Sequence, residues 1–387
     1  MKKTGKGSVE PHELLSRLEA KRGWEEMLRR FVESESPSND KDLVDTFGKK
    51  VAEEFAKLGG VEKLHKQRSH GDVLQIDFKG TAKSKPLMLL GHLDTVYEAG
   101  TLSDMPCHVA SGRMFGPGVF DMKCGIVQML LAIEALRDVH GQLPRPVTVL
   151  LNPDEEIGSP VSRAITEKLA LKSEAVLVLE PAAGARGACK TARKGVGDYT
   201  VKVTGISSHA GLDFEKGASA IMELSRQILK IGEFVDLDAG TTVNAGIIRG
   251  GTRTNVVAAE AEVEVDIRVT SQKEAERLDR QFKKLRAEDK RCKVEVSGGL
   301  NRSPFERTAA VEKLYLQAKG LAKELEFELQ ETAVGGGSDG NFTAGLGVPT
   351  LDGLGAVGEG AHASHESVLL AEVPRRAALL ARLIETL

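Results

Sequence analysis

The sequence has few aromatic residues and no long apolar run. Its 387 residues include only 12 Phe, 3 Tyr and 1 Trp. No stretch approaches the roughly 20 consecutive apolar residues of a membrane-spanning helix. The opening MKKTGKGSVEPHELL contains lysines, but the apolar run that follows them in a signal peptide is missing. We therefore expect a globular protein of the cytoplasm.

An excess of charge of one sign is also missing. The formal net charge is -3, and lysine and arginine are spread along the chain. A nucleic-acid groove or a surface for anionic membranes would require clustered basic residues. We expect neither nucleic acid nor a membrane as a partner.

Cysteine pairs with metal-ligand spacing are absent too. The four cysteines are Cys107, Cys124, Cys189 and Cys292, and none forms a CxxC pair. Isolated cysteines of this kind are typical of reduced thiols in a cytosolic protein. Any metal ion would then be held mainly by histidine and carboxylate side chains.

The first half of the chain contains short apolar runs that alternate with helical patterns. A helical pattern covers 125–138, and the apolar runs lie at 73–78, 86–94, 147–154 and 175–181. Continuous Val, Leu and Ile runs indicate parallel strands that are covered on both faces. Three of these runs end on ionisable residues, and ligands bind beyond the carboxyl ends of such strands. The sequence therefore predicts an α/β domain with a mostly parallel sheet and a site at that edge.

The N-terminal part of the chain is helical in pattern. Apolar residues recur at helical spacing within 11–58, and the turn-like SESPSND segment interrupts them at 34–40. We expect two helices in this region.

After Arg193 the pattern changes to strands with one polar face. Residues 197–205 and 256–269 alternate apolar and polar, and helical patterns cover 216–232 and 271–287. This predicts an inserted α+β domain of the ferredoxin-like kind. A chain of 387 residues exceeds what one hydrophobic core usually serves. We expect the inserted domain at 195–304, between the two parts of the first domain at 1–194 and 305–387.

Three segments at the ends of apolar runs carry the chemistry. GHLDTV places His92 and Asp94 on the same side of a strand end, where a carboxylate can hold the second nitrogen of a metal-binding imidazole. NPDEEIGS puts three adjacent carboxylates, with Glu155 and Glu156 among them, after a buried strand, where they repel one another unless cations neutralise them. LVLEP ends on Glu180. Each segment taken singly also fits a structural pair or a solvated acidic loop.

Two further segments complete a ligand set. GPGVFDMKCG places Asp121 before a helix, where its carboxylate could bridge two metal ions or cap the helix. GAHASHE supplies His362, with His365 as a competitor three residues later. A catalytic site with two zinc ions needs imidazole and carboxylate ligands, one shared carboxylate and a free carboxylate as base. The sequence offers this set.

The order of the motifs is itself informative. From residue 85 to 366 the chain contains, in sequence, GHLDTV, GPGVFDMKCG, DEEIGS, LEP, RKG, SSHAG, GGTRTNVV, DIR, GGGSDG and GAHASHE. This series resembles peptidase family twenty of the metallopeptidases, the co-catalytic di-zinc exopeptidases and amidohydrolases. It looks most similar to the glutamate carboxypeptidase branch, which removes C-terminal glutamate from folates and peptides. The resemblance implies two Zn²⁺ per chain, in positions that Co²⁺ or Mn²⁺ could also occupy.

The resemblance also implies the roles of the metal ligands. Asp121 would bridge the two ions. His92 and Glu180 would complete the ligands of one ion, and Glu156 and His362 those of the other.

The same resemblance assigns the catalytic groups near the metal ions. Glu155 would be the general base, and Asp94 would orient His92. The peptide bond after the bridging aspartate, from Asp121 to Met122, is often cis in this family.

For the inserted domain, the resemblance implies a lid that also forms a homodimer. His209 in SSHAG would reach into the site of the partner subunit and stabilise the oxyanion. Asn255 would bind substrate, and Arg268 and Arg302 would bind its terminal carboxylate. Arginine pairs bidentately with a carboxylate, so two such residues would select a free C-terminus.

Other functions are compatible with the same residues. An N-acyl amino acid deacylase of the acetylornithine or succinyl-diaminopimelate type also cleaves an amide beside a carboxylate. An aminopeptidase is disfavoured, because aminopeptidases of this family commonly have Asp where this chain has Glu180. A relative that kept the fold as a metal-free binding protein would be expected to lack a ligand, and this chain lacks none. The expected substrate is therefore a small peptide or an N-acyl amino acid.

Overall fold

The computed structural model describes residues 10–387, which form ten α-helices and sixteen strands. The lysine-containing start that we compared with a signal peptide lies mostly outside the described residues. Within 10–387, no helix is both long enough and apolar enough to cross a membrane. The helices are α1 (Pro11–Ala20), α2 (Trp24–Val32), α3 (Lys41–Lys57), α4 (Cys124–His140), α5 (Arg163–Ala170), α6 (Ala220–Gly232), α7 (Gln272–Lys283), α8 (Ala309–Glu324), α9 (Gly340–Gly345) and α10 (Glu372–Thr386). The strands are β1 (Val61–His65), β2 (Val73–Phe78), β3 (Leu87–His92), β4 (His108–Ala110), β5 (Arg113–Phe115), β6 (Val147–Asn152), β7 (Ala175–Val178), β8 (Cys189–Arg193), β9 (Gly195–Thr204), β10 (Thr242–Gly250), β11 (Glu260–Val269), β12 (Lys293–Arg302), β13 (Glu331–Val334), β14 (Thr350–Leu351), β15 (Gly358–Glu359) and β16 (Ser367–Leu369).

The apolar runs form the largest sheet, and the prediction of a mostly parallel α/β sheet is confirmed. Its strand order is β1-β2-β6-β3-β7-β14. Strands β6, β3, β7 and β14 are parallel, whereas β1 pairs antiparallel with β2 and β2 pairs antiparallel with β6. Every residue of β3 and β6 is buried, as expected for strands covered on both faces. The edge strand β1 is mostly exposed and has no apolar run that would have predicted it.

Helix α4 lies against this sheet and is the most deeply buried helix of the N-terminal half. All its residues from Cys124 to Ile133 are buried, and it packs against α10. A Cβ atom on Gly125 would lie 2.3 Å from the carbonyl oxygen of Leu179. Glycine at this position therefore lets α4 begin directly against the segment that carries Glu180.

The N-terminal segment forms three helices, so the prediction of two helices within 11–58 is wrong. Helix α1 ends at Ala20 and α2 begins at Trp24. Between them Gly23 has φ 87°, a left-handed conformation that glycine adopts without steric cost. Apolar periodicity does not reveal this break, because Leu18 and Leu28 enter the same hydrophobic core on either side of it.

The chain divides into two units. The outer unit comprises the chain up to Ala192 together with Arg307–Ala333 and Ser338–Leu387. The inserted unit comprises Arg193–Glu306 and Val334–Gly337. The short segment Val334–Gly337 lies in the part of the sequence that we had assigned to the first domain.

The inserted unit has the ferredoxin-like order that we expected, although the alternating patterns did not indicate β10. Its elements follow as β9, α6, β10, β11, α7 and β12, and its antiparallel sheet has the order β10-β11-β9-β12. One sheet face packs on the helices through Tyr199, Val263 and Leu278. Glu262 and Glu264 alternate with these buried positions and are partly exposed. The inserted unit thus has its own hydrophobic core and one polar sheet face.

A buried carboxylate in α6 stabilises the inserted unit. Glu223 accepts hydrogen bonds from the backbone amides of Glu288 (2.9 Å) and Asp289 (3.1 Å) and from the side chain of Gln227 (2.7 Å). Burial alone would raise the pKa of Glu223, but these hydrogen bonds lower it below its ordinary value of 4.5. The charged form therefore stabilises the folded state, fully above pH 4.5 and progressively less as the pH falls through the lowered pKa.

We predict that Glu223→Gln destabilises the protein by about 1–3 kcal/mol at neutral pH, since hydrogen bonds to a charged carboxylate are lost or weakened. Urea denaturation at pH 7 and at pH 4 measures the effect, with the exposed Glu276→Gln in α7 as control. The difference in the free energy of unfolding between wild type and variant should be smaller at pH 4 than at pH 7. A difference that stays constant or grows would contradict the assigned role of the charge.

Candidate metal centre and active site

Three neighbouring strand ends bring acidic and histidine residues to one edge of the large sheet. Strand β3 lies between β6 and β7 and is parallel to both, so the carboxyl ends of all three meet at this edge. The residues at these ends are His92 on β3, Glu155 and Glu156 after β6, and Glu180 after β7. This is the edge at which ligands are expected in a parallel sheet.

Asp121 comes to the same place from the turn before α4. This turn spans Val119–Lys123, and the peptide bond from Asp121 to Met122 is cis, as the resemblance implied. The buried carboxylate of Glu366 accepts hydrogen bonds from the amides of Gly118 (3.1 Å), Phe120 (2.7 Å) and Asp121 (2.9 Å). Glu366 therefore fixes the backbone that presents Asp121.

His362 lies on the loop between β15 and β16, with φ 63°. Tyr97 connects this loop to the Asp121 turn. Its hydroxyl lies 3.0 Å from the carbonyl oxygen of Ala363 and 2.5 Å from Oε2 of Glu366. Among the described residues, the groups that could hold a metal ion include His362 and not His365.

The five side chains form two groups that share Asp121. In one group, Nε2 of His92 lies 3.2 Å from Oδ1 of Asp121 and 3.3 Å from Oε1 of Glu180. In the other, Nε2 of His362 lies 3.5 Å from Oδ2 of Asp121 and 3.1 Å from Oε2 of Glu156. The potential ligand atoms of each group all lie within 4.8 Å of one another. The two oxygens of Asp121 thus face different groups, as a bridging carboxylate requires.

The buried carboxylates of the site favour the binding of a cation. Burial raises the pKa of Glu156 to about 7, even though His362 hydrogen-bonds to it. Hydrogen bonds to Asp121 and Glu156 raise the pKa of His362 to about 10. Protons on imidazole therefore supply positive charge that a metal ion would replace on binding. Oε1 of Glu156 is also buried without a hydrogen-bond partner, and imidazole nitrogen with carboxylate oxygen is the donor set that zinc accepts.

Asp94 connects the two sides of the site. Nδ1 of His92 lies 2.9 Å from the backbone carbonyl oxygen of Asp94 and 3.4 Å from its Oδ1. The Asp94 carboxylate also accepts hydrogen bonds from the amides of Glu155 (3.1 Å) and Glu156 (3.2 Å) and from the hydroxyl of Ser38 (2.6 Å). Both oxygens lie near Nδ1 of His92, so its Nε2 can bind a metal ion. The carboxylate of Asp94 also fixes the backbone of Glu155 and Glu156.

Within the inserted unit, His209 and Asn255 lie on adjacent loops. The amide of Ala210 donates to the carbonyl oxygen of Asn255 at 3.0 Å. His209 is exposed, and its Nδ1 accepts hydrogen bonds from the amides of Gly211 (3.1 Å) and Leu212 (3.2 Å). Since Nδ1 is an acceptor, the neutral imidazole carries its proton on Nε2, where it is available as a donor.

The two arginines of the inserted unit lie across β9 from each other. Val196 pairs with Arg268 of β11 on one side and with Arg302 of β12 on the other. The guanidinium of Arg268 is held by Asp266, with Nε to Oδ1 at 3.0 Å and Nη2 to Oδ2 at 2.7 Å. Arg302 is buried. Arg268 is therefore oriented by a neighbouring carboxylate on its own strand.

With this geometry established, comparison with known proteins identifies the family. Residues 88–386 match peptidase family M20/M25/M40. The chain belongs to this family. Over 369 residues it is 30% identical to carboxypeptidase G2 of Pseudomonas sp. (strain RS-16), covering 92% of this chain and 87% of that protein. Over 339 residues it is 26% identical to a succinyl-diaminopimelate desuccinylase of Nitrosococcus oceani, covering 83% of this chain and 89% of that protein. The crystal structure of aminopeptidase PepT from Bacillus cereus shares the fold, with TM-score 0.78 and 22% identity over 94% of this chain and 97% of that chain.

Membership in peptidase family M20/M25/M40 confirms the resemblance read from the motifs. It also confirms the predicted enzyme class, a zinc-dependent hydrolase that acts on peptide or amide bonds. The family carboxylates and histidines at the sheet edge are the residues that could hold the metal.

Sequence reasoning missed two residues that support the site. Neither Glu366 nor Tyr97 was assigned a role from the sequence. Their partners lie far away in the chain, since Glu366 binds amides at positions 118 to 121. The HxxxE spacing from His362 to Glu366 was the one available signal, and it does not reveal the acceptor role.

We predict that Glu366→Gln weakens metal binding by about 10–100-fold, because its amide group cannot accept hydrogen bonds from all three backbone amides that position Asp121. Calorimetric titration of metal-free protein with Zn²⁺ measures the affinity. Glu359→Gln, an exposed position on the neighbouring strand β15, is the control and should bind like wild type. Equal affinities for Glu366→Gln and wild type would show that Glu366 does not position the ligand.

Proposed function

We propose that this protein is a metallo-carboxypeptidase that binds two zinc ions and releases a C-terminal amino acid, most favourably glutamate. The observation that carries the proposal is the pair of ligand groups that share Asp121. The similarity to carboxypeptidase G2, which extends over 92% of this chain, supports the carboxypeptidase activity. Four free cysteines, all within the described residues, fit an enzyme of the reducing cytoplasm.

The five side chains would act as the ligands of the two metal ions. His92 and Glu180 would hold one ion and Glu156 and His362 the other, with Asp121 as a ligand shared by both groups. When bound, zinc supplies Lewis acidity, which lowers the pKa of water and polarises a carbonyl group. The chain's own residues would hold the ions in place.

Glu155 would act as general base. Its amide is fixed by Asp94, and it adjoins the ligand Glu156 in sequence. Its carboxylate takes a proton from the attacking water and passes it to the nitrogen that leaves when the amide bond breaks. Asp94 contributes indirectly, since it orients His92 and fixes the backbone of Glu155.

Recognition of the substrate carboxylate is assigned to the inserted unit. Arg268 and Arg302 flank Val196, and guanidinium groups bind carboxylates bidentately. Asn255 lies on the loop beside His209 and would bind the substrate backbone. Both arginines follow the family motif, and that match supports their role.

We further propose a homodimer formed through the inserted unit, with His209 of each chain acting in the site of the other. Strand β10 is an edge strand, and its Ile248 is 59% exposed. On the adjacent helix α6, Met222 and Leu229 are 58% and 74% exposed. Exposed edge strands and apolar side chains of this kind are typical of surfaces that pair with another chain.

A second candidate is an N-acyl amino acid deacylase. The similarity to a succinyl-diaminopimelate desuccinylase extends over 83% of this chain and favours it. Its substrates also carry a carboxylate beside the scissile amide, so the arginines serve both reactions.

The direct test is a substrate panel with zinc-loaded protein. We expect chelator-sensitive release of glutamate from N-acyl-glutamate and from dipeptides ending in glutamate, with two zinc ions per chain in the same sample. Preference for acetyl or succinyl amides of other amino acids would favour the deacylase instead. Absence of both metal and hydrolysis would refute both candidates.

Glu155 and Glu156 provide a matched pair of variants, since they are adjacent but have different proposed roles. Glu155→Gln should lower turnover by about 10²–10⁴-fold while zinc content stays at the wild-type level. Glu156→Gln should instead lose one zinc ion. Turnover and zinc content measured on the same samples distinguish the two effects. Full activity of Glu155→Gln would exclude it as the base.

His209→Ala should lower turnover by about 10²–10³-fold without loss of zinc, as for removal of one oxyanion donor. The exposed His12→Ala is the control. If His209 acts across the dimer, mixing the His209→Ala chain with the Glu155→Gln chain restores part of the activity, because one site of a mixed dimer contains both intact residues. Absence of recovery in verified mixed dimers would refute action across subunits.

A further inference from the structure

A buried arginine of the C-terminal helix has no role in the mechanism described so far. Arg376 lies on α10 and is the largest fully buried side chain among the described residues. Burial lowers its pKa only to about 10, so it is charged at neutral pH. A buried charge is costly unless strong hydrogen bonds compensate. The identity of those bonds therefore indicates what the residue does.

The guanidinium donates to three backbone carbonyl groups. Nη1 lies 3.0 Å from the oxygen of Gly187, and Nε lies 3.1 Å from that of Gly355. Nη2 donates to the oxygen of Gly353. Two segments, the turn at Gly187 and the loop 353–355, are thus joined by one side chain.

Both segments border the stretch of chain that carries Glu180. The amide of Gly355 donates to the carbonyl oxygen of Glu180 at 2.9 Å, and the amide of Leu354 donates to that of Val178 at 3.1 Å. A Cβ atom on Gly355 would lie 2.1 Å from the carbonyl oxygen of Leu179, so the loop is in close backbone contact there. On the other side, Gly187 belongs to the turn that follows Glu180. Arg376 therefore fixes the segments on both sides of this ligand.

We propose that Arg376 is a positioning residue for Glu180, and through Glu180 for the metal position formed with His92 and Asp121. This inference rests on the proposed two-metal site. The second metal position depends on other supports, because Asp94 fixes Glu156 and Tyr97 fixes the loop of His362. Loss of Arg376 should therefore weaken one metal position and spare the other.

Arg382 offers a matched control on the same helix. It is 9% exposed and forms an ion pair with Glu324 at 3.2 Å, and it also pairs with Glu385. Its replacement removes a mostly buried arginine from α10 without touching the loop at Gly355. A general loss of stability would appear in both variants, whereas a selective loss of metal affinity would appear only at Arg376.

The experiment is calorimetric titration of the metal-free full chain with Zn²⁺ alone. We expect two binding events in wild type and in Arg382→Met, and one unchanged and one about 10–100-fold weaker event in Arg376→Met. Arg376→Lys keeps the charge but can reach fewer carbonyl groups. The affinity of its weaker binding event should lie between those of wild type and Arg376→Met. A Glu180→Gln variant identifies which event belongs to this position. Wild-type affinity for both ions in Arg376→Met would overturn the inference, whereas failure of wild type to bind two ions would overturn the proposed function instead.

A measurement on wild type covers the case in which the Arg376 variants do not fold. Hydrogen exchange of the Gly355 amide, which bonds to Glu180, is followed in the metal-free and the zinc-loaded protein. If Arg376 holds the loop, this amide is protected in both states. Rapid exchange without zinc and protection only with zinc would show that the metal, and not Arg376, orders the segment.

Discussion

Negative charge is concentrated at the carboxyl edge of the large sheet, and the residues around it counter the repulsion that results. Asp121, Glu156 and Glu180 lie within a few ångströms of two imidazoles, so their charges cannot be screened by water as surface charges are. Burial raises the pKa of Glu156, while hydrogen bonds from His362 and His92 outweigh burial and lower that of Asp121. The two shifts have different causes, but both show that a buried carboxylate of this site is stabilised either by a proton or by a nearby positive charge. Metal binding would supply that charge and thereby contribute to the stability of the outer unit.

Three of the potential ligands are held by groups from distant parts of the chain, whereas His92 is held by Asp94, two residues later. Glu366 fixes the Asp121 turn, and Asp94 fixes the backbone of Glu156. Arg376 hydrogen-bonds to the segments that border Glu180. These supports are buried polar groups that bond to backbone amides or carbonyls, which are costly to leave unpaired. The same hydrogen bonds therefore contribute both to the packing of the outer unit and to the geometry of the side chains that could hold a metal ion.

The sequence predicted the elements whose signals are local. Continuous apolar runs identified β2, β3, β6 and β7, and the ionisable residues that follow them identified the edge at which the ligands meet. The break at Gly23 was missed because apolar residues on both sides of it enter one core. Glu366 and Arg376 were not recognised because a buried polar side chain shows its role only through its partners. Those partners lie elsewhere in the chain, and no spacing rule connects them.

The type of reaction can be assigned more readily than the substrate. Membership in the family establishes hydrolysis of a peptide or amide bond, and both candidate substrates contain one. Selectivity must then come from groups that bind the rest of the molecule, and Arg268 does not decide it alone. Asp266 already orients the Arg268 guanidinium and partly neutralises its charge, so a substrate carboxylate would join an existing ion pair. A carboxylate beside the scissile bond is common to carboxypeptidase and deacylase substrates, so the role proposed for these arginines would suit either one. Discrimination therefore depends on what contacts the side chain or acyl group on the far side of the amide.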